Sequence, residues 1–377
     1  MQIEIRPVQT WRDKRRFLTF PWKIYKNDPL WVPPLVPQRA KIIDPKQGAF
    51  FQRGEAELFI AWRGGKPVGT ICAGEDKIVN AETGRRECWF GFFEYFEDMP
   101  IAESLLQQVS VWARQRNLET LIGPFNLDRE DSYGVLIEGR DRPPVILCGH
   151  TPPYYQDFME RLGFEPARAD NLAFAAELDE DSPERQRLSR LAERIRRKGW
   201  VRIRTPDLRR IGEEVDTIHR LLNESLTHLP DYRPWPRSAV EALVKPFARF
   251  ADPDLVLFAE VGGRTVGWFP GIPNLNEVLI HANGLRYPWD GLRLLRHKRR
   301  QPECVAIKSV LILPQYWGGG VALLLFDEMA RRARAKGYTW ADLSLTSADN
   351  PYTPNLAERM GAHIYKRYRV YRKSISA

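Results

Sequence analysis

Three consecutive glycines, Gly318-Gly319-Gly320, stand between an apolar run and an amphipathic one. The local sequence is Val310-Leu311-Ile312-Leu313-Pro314-Gln315-Tyr316-Trp317, the glycines, then Val321-Ala322. It predicts a strand, a proline-led turn and a helix start. Glycines leave backbone N–H groups uncovered, and a helix N-terminus adds unpaired N–H groups and partial positive charge. Together they form a cradle for an anion such as a pyrophosphate. No Gly-Lys-Ser/Thr follows, so this is not a Walker loop. Leu323 stands where the dinucleotide fingerprint needs its third glycine. Upstream, Glu277 and His281 lie in the long segment 270–303 and are candidates to face such a site. His281 titrates nearest neutral pH. That segment ends in the basic run Arg293, Arg296, His297, Lys298, Arg299, Arg300.

The elements that must position this cradle occur twice. Leu58–Gly69 and Leu257–Gly267 each read apolar run, Gly-Gly, basic residue, Val-Gly, the pattern of a β-hairpin. Phe158–Phe164 and Leu356–Ala362 each read as a helix end closed by glycine. Both pairs are 198 residues apart (262 − 64 and 361 − 163). The offset predicts two copies of one α/β unit, residues 1–178 and 200–377, joined by a linker helix over 179–199. Between the landmarks each copy has a strand, a helix and a strand: 88–96, 100–116 and 118–123 in the first, 305–313, 320–335 and 340–345 in the second. A mixed α/β sheet is expected in each. Ser182-Pro183-Glu184 signals the start of the linker helix, whose arginines are expected on a solvated face. The first copy has no glycine at the matching turn, Phe96-Glu97-Asp98-Met99-Pro100. Asp98 is expected to cap its own helix there, and Glu97 and Asp98 to repel a phosphate. The first copy is therefore expected to bind no cofactor. Asp128–Asp131 lies in its own long connection, 124–153.

With 377 residues and 43% hydrophobic content the chain is long enough for two globular domains. Lys+Arg number 57 against 48 Asp+Glu, a net charge of +9 that suits an acidic ligand without choosing one. Four scattered cysteines with no CxxC pair read as reduced core residues, and no metal site is expected. No apolar run approaches the ~20 residues of a membrane span, and the first residues lack a secretory pattern, so the cytoplasm is expected.

Pro314, Gly318, Gly320 and Ala322 resemble the acetyl-CoA pyrophosphate motif of the GCN5-related N-acetyltransferases (GNAT). The preceding hairpin and the Asn350-Pro351…Glu358-Arg359-Met360-Gly361 region are similar to that family's second and third strands and fourth helix. The likeness covers most of 200–377, with a weaker echo over 1–178. Phe20–Pro34 and Gly91-Phe92-Phe93-Glu94 resemble a bacterial subgroup of the superfamily. The resemblance implies two tandem GNAT-like acyl-CoA N-acyltransferase domains. Acetyl-CoA, or another acyl-CoA, would be the co-substrate, and a small-molecule amine the acceptor. Cofactor contacts would come from Val310, Leu311, Ile312, Trp317, Gly318, Gly319, Gly320, Val321, Ala322 and Asn350.

The second copy departs from the family where catalysis usually sits. Lys308 replaces the usual glutamate and Ala357 the usual tyrosine, with Tyr352, Tyr365 and Tyr368 as nearby substitutes. The catalytic candidates are thus His281, Glu277, Tyr352 and Lys308. Glu94, on the first copy's matching strand, is a candidate to serve across the domains. Two other classes stay open: a non-catalytic acyl-CoA-binding protein and a tandem transferase that uses aminoacyl-tRNA. Basicity is the sole support for nucleic-acid binding, which is not expected.

Overall fold

The computed structural model describes residues 2–127, 133–179, 182–227, 234–247, 252–297 and 300–375. Of the sequence features above, Asp128–Asp131, Lys298 and Arg299 lie outside the described residues. Gly64 and Gly65 take φ of 57° and 74°, and Gly262 and Gly263 take 56° and 79°. Side chains disfavour that region, which explains why both hairpins carry paired glycines. In chain order the strands are Ile3–Pro7 (β1), Gly54–Arg63 (β2), Lys66–Asp76 (β3), Glu87–Tyr95 (β4), Thr120–Gly123 (β5), Val135–Glu138 (β6), Glu165–Pro166 (β7) and Asn171–Glu177 (β8). Then come Arg202–Arg204 (β9), Val256–Val261 (β10), Arg264–Pro273 (β11), Cys304–Ile307 (β12), Leu311–Ile312 (β13), Trp340–Ser347 (β14), His363–Arg369 (β15) and Tyr371–Ser374 (β16).

The chain divides into two compact units. The first holds Met1–Asn171, Asn276–Arg299 and Lys366–Ala377; the second holds Leu172–Leu275 and Arg300–Tyr365. A linear division at 178 and 200 assigns 172–178, 276–299 and 366–377 the other way round. For 172–178 and 366–377 the cause is strand exchange; the described part of 276–299 is largely helical and packs with the first unit. In the first unit β16 lies against β5, with Tyr371 opposite Gly123 and Ser374 opposite Thr120. In the second unit β8 lies beside β14. Each unit's sheet thus includes a strand from the other repeat.

The first sheet runs β1-β2-β3-β4-β5-β16-β7, and the second unit's strands run β8-β14-β12-β11-β10-β9 with β13 on β11. The helix Met99–Arg114 packs Ile101, Leu105, Val109, Trp112 and Ala113 into the first core. The helix Val321–Ala335 packs Val321, Leu325, Met329 and Ala333 into the second. Both show the i, i+3/i+4 periodicity of a helix with one core-facing stripe.

Three expectations need correction. The strand over 305–313 is two strands, β12 and β13, parted by Lys308–Val310. Ser309 sits there at φ 57° and interrupts the extended backbone. Asp98 makes no side-chain cap; its carboxylate pairs instead with Arg63 Nη1 at 2.6 Å. The helix Pro183–Arg197 starts on Ser182, which accepts from Arg185 N–H, but its arginines are not all solvated. Arg196 Nη2 lies 2.8 Å from buried Asp327, and Arg185 3.7 Å from it, because a buried carboxylate needs a cation. All four cysteines are buried. No described helix is long and apolar enough to cross a membrane.

Candidate functional site

The second unit opens where two parallel strands part. β12 and β14 pair from Cys304 opposite Trp340 to Ile307 opposite Leu343. The chain then turns at Ser309, and β13 pairs only with β11, Ile312 opposite Gly267. Between the diverging backbones lies a cleft of about 570 Å³. One lip is Ile307, Ser309, Val310 and Ile312; the other is Leu343 to Thr346. Phe174, Leu226 and Phe326 give it apolar walls.

The glycine turn stands at one end of this cleft. A short 3-10 turn, Pro314–Tyr316, is fastened by Trp317 Nε1 donating to Ile312 O at 2.8 Å. Gly318 and Gly320 have φ of 74° and 90°. Gly320 is the N-cap residue of the helix Val321–Ala335, and no side chain caps that end. The helix's first N–H groups therefore lack intrahelical acceptors. A Cβ on Gly320 would also collide with Ile195 Cδ1, and one on Gly319 would sit 3.3 Å from Trp200. Gly319 N–H donates to Tyr316 O at 3.3 Å, so the donors left for a pyrophosphate-bearing ligand are those of the uncapped helix start, which the turn's small size and backbone freedom leave accessible.

Residues 215–362 match the Acetyltransferase (GNAT) family. The chain is 30% identical over 382 residues to the bacterial ceramide synthase of Caulobacter vibrioides (strain NA1000 / CB15N), covering 99% of this chain and 98% of that protein. It is 26% identical to Protein YghO of Escherichia coli (strain K12), covering 96% and 93%. The chain belongs to the GCN5-related N-acetyltransferase superfamily. Among solved structures, the fold is similar to a tandem GNAT protein from the clavulanic acid biosynthesis pathway, at TM-score 0.58 and 12% identity over 100% of this chain and 99% of that one. A GNAT protein from Sphaerobacter thermophilus gives TM-score 0.55 and 16% identity over 100% and 96%. These likenesses establish a tandem GNAT fold. The family is one of acyltransferases that take acyl-CoA co-substrates and act on amines.

The cleft of this GNAT gathers several candidates. Val310, Ile312, Trp317, Gly318, Ala322, Asn350 and Tyr352 all line it. Leu311 and Val321 have buried side chains, so they can offer a ligand only backbone. Asn350 Oδ1 accepts from Tyr352 N–H and Thr353 N–H, both at 3.0 Å, which starts the helix Thr353–Arg359. What Asn350 can present is its amide. Tyr352 is 52% exposed, and its ring packs 4.6 Å from Trp317.

Lys308 stands beside the cleft. Its Nζ lies 3.1 Å from Asp342 Oδ2 and 2.5 Å from Ser344 Oγ. Ser344 Oγ in turn donates to Asp342 Oδ2 at 2.6 Å, and Tyr365 Oη donates to Asp342 Oδ1 at 2.7 Å. The fully buried Asp342 is the hub of this network, and Ser344 lines the cleft. Sequence reasoning passed over both. A signal was present: Asp342 and Ser344 alternate along an apolar strand, which puts two polar side chains on one face.

Other candidates fall in the first unit. Glu277 and His281 belong to its segment 276–299. The His281 ring stacks on His297 at 4.1 Å. Tyr368 is fully buried and donates to Gly149 O at 3.0 Å. Glu94 is partly buried and accepts from Tyr155 Oη at 2.8 Å and Tyr25 Oη at 3.0 Å. Burial pushes its carboxyl up to about 7, against the pull of those two hydrogen bonds. No cluster of metal-ligating side chains occurs among the described residues.

Proposed function

We propose that the second unit transfers the acyl group of an acyl-CoA to the nitrogen of an amine, and that the acceptor is a long-chain amino alcohol. The observation that carries the transfer is a splayed-strand cleft with an uncapped glycine-helix turn at its end, within one unit. The acceptor class rests on the end-to-end likeness to a bacterial ceramide synthase, since a ceramide is the amide of a fatty acid with a long-chain amino alcohol. The apolar walls at Phe174, Leu226 and Phe326 support an acceptor or acyl chain of that kind.

The co-substrate supplies an acyl carbonyl activated as a thioester. Backbone N–H groups of the Gly318–Ala322 turn hold its pyrophosphate. The strand edge at Val310, Leu311 and Ile312 runs along its pantetheine arm, with the Asn350 amide opposite. Trp317 and Tyr352 wall the entrance, and Tyr352 can return a proton to the leaving thiolate. Ser344 is placed to take the proton that the attacking nitrogen loses and pass it to Asp342. Lys308 and Tyr365 then act as positioning residues that hold the Asp342 carboxylate. Aligning amine and carbonyl supplies much of the acceleration, so no single base need carry the reaction.

The test is product mass. Purified protein is given acetyl-CoA or a long-chain acyl-CoA, with sphinganine or a short primary amine. The expected product is the amide of sphinganine. Amide from the short amine alone would overturn the acceptor class. Thermal stabilisation by acyl-CoA with no amide from any pairing would make the protein an acyl-CoA binder without turnover, a reading that the commitment of Lys308 to Asp342 favours as the second choice.

A further inference from the structure

We infer that the helix Asp290–His297 is a docking surface for an anionic membrane. Large apolar side chains exposed singly need no explanation. Here three fall within seven residues: Trp289 is 57% exposed, Leu292 65% and Leu295 55%. At 100° per residue Leu292 and Leu295 share a stripe of the outward face, and Arg296 and Arg293 border it. Both arginines are exposed.

The helix is firmly seated, so this exposure is not that of a detached segment. Asp290, fully buried, accepts from Tyr287 N–H at 2.9 Å and from Asn283 Nδ2 at 3.1 Å, and lies 3.6 Å from Arg293. Asn283 Oδ1 accepts from Trp22 Nε1 at 2.7 Å, and the Arg286 guanidinium sits over the Trp22 ring at 5.5 Å. At the far end His297 stacks on His281. The anchors point inward and the leucines outward.

A tryptophan and two leucines beside cations is the composition of a helix lying in a lipid interface. The apolar stripe enters the acyl boundary while the arginines meet anionic headgroups, and each basic residue near such a surface adds about fivefold in binding. The sequence continues with Lys298, Arg299 and Arg300, and the whole chain carries +9. The charge sign favours an anionic lipid surface over a neutral or basic protein partner, and the exposed tryptophan and leucines favour an acyl boundary. The surface belongs to the first unit and does not depend on what the cleft transfers.

The full chain is mixed with vesicles of phosphatidylcholine containing one quarter phosphatidylglycerol and sedimented. We expect binding that weakens in high salt and on pure phosphatidylcholine. Trp289→Ser/Leu292→Ser/Leu295→Ser should bind at least about tenfold more weakly, with a melting temperature little changed, because both leucines are exposed and Trp289 gives up only its stack on Tyr287 at 4.8 Å. Arg296→Gln should weaken binding about fivefold on anionic vesicles and leave neutral ones unaffected. No sedimentation of the wild type with anionic vesicles overturns the inference. So does sedimentation that the triple variant retains in full. A wild-type dimer that the triple variant converts to monomer, without vesicle binding, overturns it in favour of a second copy of this chain.

Discussion

The two units carry the same backbone kink and do opposite things with it. Gly69 pairs with Tyr95 in the first, and the matching Gly267 pairs with Ile312 in the second. Three residues back from those partners stand Phe92, at φ 45°, and Ser309, at φ 57°. The backbone thus kinks at one equivalent point, as a bulge inside β4 in the first unit and as the gap between β12 and β13 in the second. Beyond the kink the first unit is sealed. Phe125 N–H donates to Phe90 O at 2.7 Å, Phe92 N–H donates to Asn126 Oδ1 at 2.7 Å, and a Cβ on Gly91 would collide with the Phe125 carbonyl. In the second unit the equivalent strip is the lip of the cleft. The turns differ in the same sense: Glu97-Asp98 against Gly318-Gly319-Gly320. A kinked strand alone does not make an acyl-CoA site. Its freed backbone must be left for the ligand, and the turn before the helix must carry no carboxylates. On these grounds we propose one acyl-CoA per chain, bound in the second unit.

The sharpest break of that comparison is Gly319→Glu. Glycine 319 has ordinary φ and only tight neighbours, so the variant should fold. Its carboxylate would add a negative charge to the turn proposed to hold the pyrophosphate and lower CoA affinity at least about a thousandfold, about 4 kcal/mol. Calorimetry should show one site in the wild type and none in the variant; a site surviving in the variant would move the cofactor elsewhere, and two wild-type sites would remove the asymmetry.

Lys308→Gln is next. It leaves Asp342 buried without its ammonium partner and should cost about 3 kcal/mol in denaturant unfolding. If stability were unchanged, the network would be incidental. Asp342→Asn should instead lower kcat about a hundredfold while KM stays put; equal loss in kcat and none in proton-dependent rate steps would assign it a purely structural role.

In the first unit Glu94 stands where Leu311 stands in the second, judged by their partners Thr70 and Trp268. Its carboxyl is near 7 when folded against an ordinary 4.5 when unfolded, chiefly through burial. Folding then takes up a proton between those values. The contribution to stability is full below about 4.5 and is lost as pH rises through about 7, a swing of about 3 kcal/mol. Glu94→Gln should remove that slope, its advantage over the wild type growing from pH 5 to pH 8. Parallel stability curves for the two proteins would contradict the burial argument. Smallest is Asp98→Ala. The carboxylate makes a half-exposed pair with Arg63 rather than a helix cap, so its loss should cost under about 1 kcal/mol, and it should not create a second CoA site.

Much of this was legible in one dimension. Paired glycines and a constant offset of 198 residues announced two hairpins and two copies, because positive φ and period-two burial are local demands. Gly318–Gly320 marked the uncapped helix for the same reason. Three things were decided only by tertiary structure. Strand partners are long-range, so the exchange of β8 and β16 between units, and the membership of 276–299 in the first, left no local trace. Ser309 has no special propensity for φ 57°; the surrounding pairings impose it. And Asp342 read as one polar residue in an apolar strand until packing brought Lys308, Ser344 and Tyr365 to it, since a buried charge is defined by neighbours that sequence distance conceals.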